Sequence, residues 1–258
     1  MVETFDVKKA SKIPATSGVP TLSKAEEPRN PEKEEMRKFP YREEVGALIW
    51  TATMTRPDIV GAVRSVVRFY KNPGPAHKKA VINLIQYLLR TMDWEISYSG
   101  QTCGLCMEVY TDSDFGTCLD TRRPVSGAVL MLPKKAIIWY SMMQEVAASD
   151  TSETVYVALS EAEKEVLFVL DMFEEFVEPS IRIGAVNVFE DNEGGIKLAT
   201  NKHASPRTKY INVKHHMVRD TSDEQKVRVA YVISEDQHVD LLIKPVGTQK
   251  FYKHAKVI

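Results

Sequence analysis

The stretch LCMEVYTDSDFG, residues 105–116, decides the fold. Leu105 to Thr111 is rich in apolar, β-branched and aromatic residues, which predicts a strand with Asp112 and Asp114 at its end. Side chains alternate along a strand, so these two aspartates fall on one face. Aspartate is a poor strand residue, and placing two there carries a cost that suggests a function. Working outward, Ser126 to Leu132 and Ala136 to Tyr140 are further short β-like runs, separated by loops containing Asp120, Arg122, Pro124, Pro133 and Lys134. They predict an antiparallel meander. A helical stretch from Thr151 to Glu175 follows, then a strand at Ala185 to Phe189, a short helix from Glu193, a strand at Val227 to Ile233 and a last helix from Asp236. Strands first and alternation afterwards predict an α/β fold with a mixed sheet flanked by helices.

Upstream, Tyr41 to about Met92 changes to a helical period. Ala80, Val81, Leu84, Ile85, Leu88 and Leu89 recur at three- and four-residue spacing, and an earlier helix is expected from Pro57 through Val60, Val63, Val67 and Tyr70 to the N-P-G-P break at Asn72–Pro75. Residues 1–39 carry Pro14, Pro20, Pro28 and Pro31 among Ser, Thr, Lys and Glu with no sustained apolar period, so they are expected to be an extended or disordered leader. The 43% hydrophobic content of the 258 residues suffices for a core. Three cysteines are too few and too odd in number for a disulfide framework, which points to a reducing compartment. Cys103 and Cys106 form a lone C-x-x-C with no second pair, and incidental thiols are a better reading than zinc. No apolar run of about twenty residues could span a bilayer and no signal-peptide core follows Met1, so the expectation is an unsecreted intracellular protein, cytoplasmic or nuclear, with no membrane partner.

Two more acids stand in apolar settings: Asp191 ends the run VNVFED, and Asp240 lies within HVDLLI. Like charges held a few ångströms apart repel, so convergence of Asp112, Asp191 and Asp240 would be stable chiefly around a divalent cation. The competing reading is that acids at strand ends are turn formers or helix caps, and Asp191-Asn192 is a respectable cap for the helix from Glu193. The formal charge of −1 does not announce a nucleic-acid partner. Its distribution does more: between Lys197 and Arg219 the chain carries Lys197, Lys202, Arg207, Lys209, Lys214 and Arg219 with His203, His215 and His216 and no Asp or Glu. That stretch is either a phosphate-binding surface or a solvated face balanced by the acidic Glu161–Glu178. Adjacent His215 and His216 point differently, which argues against zinc there.

Several segments resemble, in family order, the polyproteins of copia-type retrotransposons. YREEVGALIWTATMTRPDIVGAVRSVVRFYKNPGPAHKKAVINLIQYLLRT resembles the segment after the reverse transcriptase palm; VYTDSDFG, TRRPVSGAVLML, AIIWYSMMQ, VFEDNEGGIKLA, RTKYINVKHHMVRD and EDQHVDLLIKP resemble successive parts of its RNase H region. The resemblance covers nearly all of residues 40–250. It implies a leader (1–39), a small helical thumb or connection subdomain (40–98), an RNase H-like domain (99–250) with a five-stranded mixed sheet, three antiparallel strands followed by two parallel ones, and a tail (251–258).

The resemblance also implies catalytic, metal-binding acids at Asp112, Asp191 and Asp240. The family's fourth acid is the second glutamate of a T-E-A-E-Y motif, which here reads Ser152-Glu153-Thr154-Val155-Tyr156, so Val155 stands in its place. Glu153 is two residues away, about 200° around a helix, and cannot substitute. Lys134 and Lys135 replace a glycine-rich turn, Met142 and Met143 replace lysines, and Tyr210 and Asn212 replace histidine and aspartate. No Y-x-D-D pair occurs, so DNA polymerisation is not expected, and the palm of the parent polyprotein is the missing partner. The implied reaction is hydrolysis of RNA in RNA–DNA hybrids with two Mg²⁺ ions, weakened by the loss at Val155. A non-catalytic nucleic-acid-binding module and a degraded transposon remnant are the alternatives, the latter suggested by the missing palm, the lost glutamate and a Met1 start inside a polyprotein segment.

Overall fold

A computed structural model describes residues 11–15, 22–24, 28, 30–98, 106–115, 120–145, 150–177, 183–200 and 226–258. Its centre is a five-stranded sheet of order β3-β2-β1-β4-β5, with β1 Glu108–Asp114, β2 Val125–Met131, β3 Ala136–Met143, β4 Val186–Glu190 and β5 Val227–Tyr231. The first three strands pair antiparallel; β4 runs parallel to β1 and β5 parallel to β4. This is the five-stranded mixed RNase H-like sheet expected above. β1 differs at both ends: it begins at Glu108 rather than Leu105, and it continues through Asp112 and Asp114, because the antiparallel register with β2 holds as far as Asp114 opposite Val125. The β2–β3 turn is closed by the Leu132 amide donating to the Lys135 carbonyl at 2.8 Å. Lys134 takes the left-handed conformation there, φ 63°, where a glycine would be unstrained.

Strand β2 is buried along its whole length, VSGAVLM, because helices cover both faces of the sheet. Its alternate residues divide between two cores. Ala128 and Leu130 join Val109, Val186 and Val188 beneath α5 (Thr151–Phe176) and α6 (Glu193–Thr200). Val129 and Met131 join the opposite core with Leu48, Ile59, Val63, Leu84 and Ile85 from α2 (Tyr41–Met54), the 3-10 turn Pro57–Ile59, α3 (Val60–Val67) and α4 (Pro75–Arg90). The helical segment preceding the sheet therefore shares one apolar core with it. The C-terminal helices α7 (Asp240–Ile243) and α8 (Thr248–Ala255) seal the same core with Leu242 and Phe251, and Ile258 joins it after α8.

Within the leader, Asn30–Arg37 forms helix α1 and buries Met36, while Ile13 reaches the core shared with α2, α3 and α4. The helix expected from Asp236 as the last begins at Asp240, is one turn long and is followed by a further helix, α8, since Pro245 and Gly247 interrupt the chain between them. Cys106 is exposed; Cys103 and Cys118 lie outside the described residues. Among the described residues no helix is long and apolar enough to cross a membrane.

Candidate metal centre

The acids gather where the parallel pair β1 and β4 ends. Asp112, 5% exposed, comes from β1, and its Oδ1 accepts the Ser113 amide at 2.7 Å. Glu190 is the last residue of β4 and Asp191 the first after it. Carboxylate oxygens of Asp112, Glu190 and Asp191 all lie within 4.8 Å of one another. The helix-cap role that competed for Asp191 is filled by its neighbour: Asn192 Oδ1 accepts the Gly195 amide at 2.9 Å, opening α6. Asp191 Oδ2 instead accepts the Ser234 hydroxyl at 2.5 Å.

Asp240 stands beside this group on different terms. It is 1% exposed at the start of α7, and its two oxygens meet Lys244 Nζ at 2.7 Å and Lys250 Nζ at 2.5 Å. Lys244 also lies 3.6 Å from Asp112 Oδ2, so one ammonium bridges the two aspartates. Burial alone would raise the Asp240 carboxyl, but the two lysines outweigh it and hold it below the usual range. Asp112 behaves oppositely: burial, reinforced by Asp191 and Asp240, pushes it up to about 7 against the pull of Lys244 and the Ser113 amide. Burial likewise lifts Glu190 well above the ordinary value, with Asp112 and Asp191 adding to it.

Glu190 escaped the sequence reading. Its signal was present in V-N-V-F-E, where a period of two puts an acid on the same face as Val186 and Val188. Its Oε1 accepts the amides of Asp191 and Asn192, each at 3.1 Å, and its buried Oε2 has no hydrogen-bond partner.

Val155 is 1% exposed on α5, within the core that includes Val186 and Val188. The adjacent Thr154 hydroxyl meets the hydroxyl of Ser113, the neighbour of Asp112, at 2.8 Å, so this turn of α5 lies against the acid-bearing strand. Of the basic residues singled out, Lys197 is on α6 in an exposed ion pair with Glu193 at 3.0 Å. Lys202, Arg207, Lys209, Lys214 and Arg219, with His203, His215 and His216, lie outside the described residues.

No protein-family model matches the chain. It is 31% identical over 253 residues, 97% of its length, to the retrovirus-related Pol polyprotein from transposon TNT 1-94 of Nicotiana tabacum. It is 29% identical over 220 residues, 84% of its length, to the corresponding polyprotein from transposon RE1 of Arabidopsis thaliana. The chain spans 19% and 15% of the length of those two relatives. Among solved structures, LC11-RNase H1 in complex with an RNA/DNA hybrid aligns with 53% of this chain and 92% of its own, at 15% identity and a TM-score of 0.39. The polyprotein match runs over almost the whole chain and includes every strand of the sheet: the chain belongs to the copia-type, retrovirus-related Pol polyproteins of transposons and is an RNase H-like portion of one.

Proposed function

We propose that this portion derives from a Mg²⁺-dependent nuclease acting on the RNA strand of RNA–DNA hybrids, and that its hydrolysis is severely reduced because Val155 occupies a catalytic glutamate position. The observation that carries the reading is the convergence of buried Asp112 with Asp191 at the ends of parallel β1 and β4. The residues fit a hard divalent cation: the donors are carboxylate oxygens, two of the acids are buried, and one oxygen is orphaned. A bound cation supplies Lewis acidity and an activated water for phosphodiester hydrolysis. Asp112 and Asp191 would hold it, with Asp240 as the third candidate, its carboxylate paired here with Lys244 and Lys250. Lys244, 38% exposed between Asp112 and Asp240, is suited to pair with a phosphate oxygen of the substrate.

The hybrid is read by shape, phosphates and 2′-hydroxyls, with the basic stretch from Lys197 to Arg219 contributing phosphate contacts. Residues 40–98 correspond in this proposal to the thumb or connection of the polyprotein, which would place the polymerase palm next to them. Cleavage of a labelled hybrid in Mg²⁺ and in Mn²⁺, by the wild type and by Val155→Glu, tests the reading. Slow or absent wild-type cleavage that recovers in the variant is expected. Wild-type turnover comparable to that of the variant would overturn it. The apolar burial of Val155 also favours a second reading, a binding module without chemistry, which is signalled by hybrid binding with no cleavage in either protein.

A further inference from the structure

We infer that Glu190 is a cation ligand of this chain and supplies from β4 the oxygen that Val155 withholds from α5. The inference rests on reading the acid cluster as a divalent-cation site, and it concerns which residues complete that site. In β4 the buried positions alternate as Val186, Val188 and Glu190, so Glu190 extends the sheet face that α5 covers. Val155 belongs to the same core as Val186 and Val188. The two positions thus approach the end of β4 from one side of the sheet, one from the helix and one from the strand.

Three further observations point to a ligand. A Glu190 carboxylate oxygen lies within 4.8 Å of oxygens from both Asp112 and Asp191, a spacing that one ion can bridge. The residue is fully buried, and while the Asp191 and Asn192 amides fix Oε1, Oε2 is left without any hydrogen-bond partner among the described residues. An orphaned buried oxygen is costly, more so when charged, and a cation removes that cost. Finally, neither of the two lysines close to the cluster pairs with Glu190: Lys244 bridges Asp112 and Asp240, and Lys250 holds Asp240. Asp240, the acid expected to complete the site, is charge-compensated, whereas Glu190 has no cationic partner among the described residues.

The rival account is a permanently protonated Glu190 that only fills space. Glu190→Gln separates the two, because the amide reproduces the shape and neutrality of a protonated acid but is a poor ligand for a hard cation. Mn²⁺ binding by calorimetry and the Mn²⁺-induced rise in melting temperature are measured on the whole chain, beside Asp112→Asn and, as a control outside the cluster, Glu153→Gln. The expected result is that Glu190→Gln and Asp112→Asn each weaken Mn²⁺ binding about tenfold or more and remove most of the Mn²⁺-induced rise, with Glu153→Gln unchanged. Binding by Glu190→Gln within about twofold of wild type, or no saturable Mn²⁺ binding by the wild type, would overturn the inference. Should Glu190→Gln not fold, Glu190→Ala, which also removes the carboxylate, is judged by the same criterion. The nuclease reading fails separately: Mn²⁺ binding through Glu190 with no hybrid cleavage by either the wild type or Val155→Glu upholds this inference and overturns the nuclease reading, while cleavage restored by Val155→Glu in a chain whose Mn²⁺ binding is indifferent to Glu190→Gln does the reverse.

Discussion

Val155 on α5 is packed directly against Gly195 on α6: a Cβ at position 195 would stand 2.8 Å from Val155 Cβ and closer still to Cγ1. The position where a catalytic glutamate is expected has therefore become part of a helix–helix contact, and α6 is the helix that begins just after Asp191. Restoring the acid brings a longer, charged side chain into a site that is 1% exposed. Val155→Glu is expected to lose about 2–4 kcal/mol of stability in EDTA, and to recover more on adding Mn²⁺ than the wild type does, because the new carboxylate gains a partner. Urea melts with and without Mn²⁺ check this. A variant as stable as wild type in EDTA would contradict the packing argument.

Two glycines should respond to alanine with opposite signs. A Cβ on Gly61 of α3 would lie 2.7 Å from the Leu242 carbonyl carbon and 2.9 Å from the Leu241 carbonyl oxygen, backbone atoms of α7 that cannot swing aside. Gly46, on the exposed side of α2, has nothing within 4 Å of such an atom. Gly46→Ala should stabilise by about 0.5–1 kcal/mol through helix propensity alone. Gly61→Ala enjoys the same propensity gain but must part α3 from the helix that carries Asp240, and overpacking of about 1–3 kcal/mol wins. Denaturant midpoints moving in opposite directions are the expected outcome; two upward shifts would mean that α3 and α7 are not in close contact.

How far the sequence foretold these arrangements depended on the range of the information. The five strands, and Asp112 and Asp191 at the β1 and β4 ends, follow from local alternation. Glu190 obeys the same period and was hidden by the more familiar D-N pair beside it. Lys244 is four residues after Asp240 and legible as a helical neighbour, but Lys250 arrives from α8 across the Pro245–Gly247 break, which no local pattern specifies. The stripe on α4 was readable as an apolar face without revealing its partner; that it packs on the second face of the sheet is a tertiary fact. Helix α1 was concealed by the prolines scattered through the leader, although Pro31, the one inside it, is compatible with a first turn.

The His238–His254 pair predicts an acid-sensitive fold. The two Nδ1 atoms are 2.9 Å apart, so one must donate and the other accept, and His254 is wholly buried. Burial, then the charges of His238, Lys250 and Lys253, holds His254 down to about 4, with Asp240 opposing; burial also lowers His238, against the pull of Asp236. A base whose folded pKa lies below its unfolded value of about 6.5 contributes stability that is present above 6.5 and lost as pH falls towards 4. Asp112 runs the other way, its contribution being lost as pH rises from about 4 to about 7, so the histidine effect must be read as a difference. The stability of wild type minus that of His254→Gln should fall steadily between pH 6.5 and 4. A flat difference curve would show that His254 titrates normally.

The T-R-P-D-I core at Thr55–Ile59 is a structural clamp rather than a catalytic one. Asp58 accepts Arg56 Nε and Nη2, each at 2.8 Å, and the Tyr87 hydroxyl at 2.5 Å; Arg56 in turn donates to the Thr91 carbonyl at 3.1 Å and the Thr91 hydroxyl at 2.6 Å. These contacts tie the 3-10 turn before α3 to the end of α4, and Arg56, Asp58 and Tyr87 are all buried. A buried ion pair is weak evidence for net stability, yet removing one partner strands the other. Asp58→Asn should therefore cost about 3–5 kcal/mol because the Arg56 guanidinium loses its counter-charge. Tyr87→Phe removes one hydrogen bond and leaves the ion pair, so about 1–3 kcal/mol is expected. Replacing both ions with apolar residues of similar volume, Arg56→Met with Asp58→Leu, should cost less than Asp58→Asn alone, since no charge is left uncompensated. Urea unfolding of the three variants orders them, and an Asp58→Asn cost below that of Tyr87→Phe would show that the clamp is not held by charge.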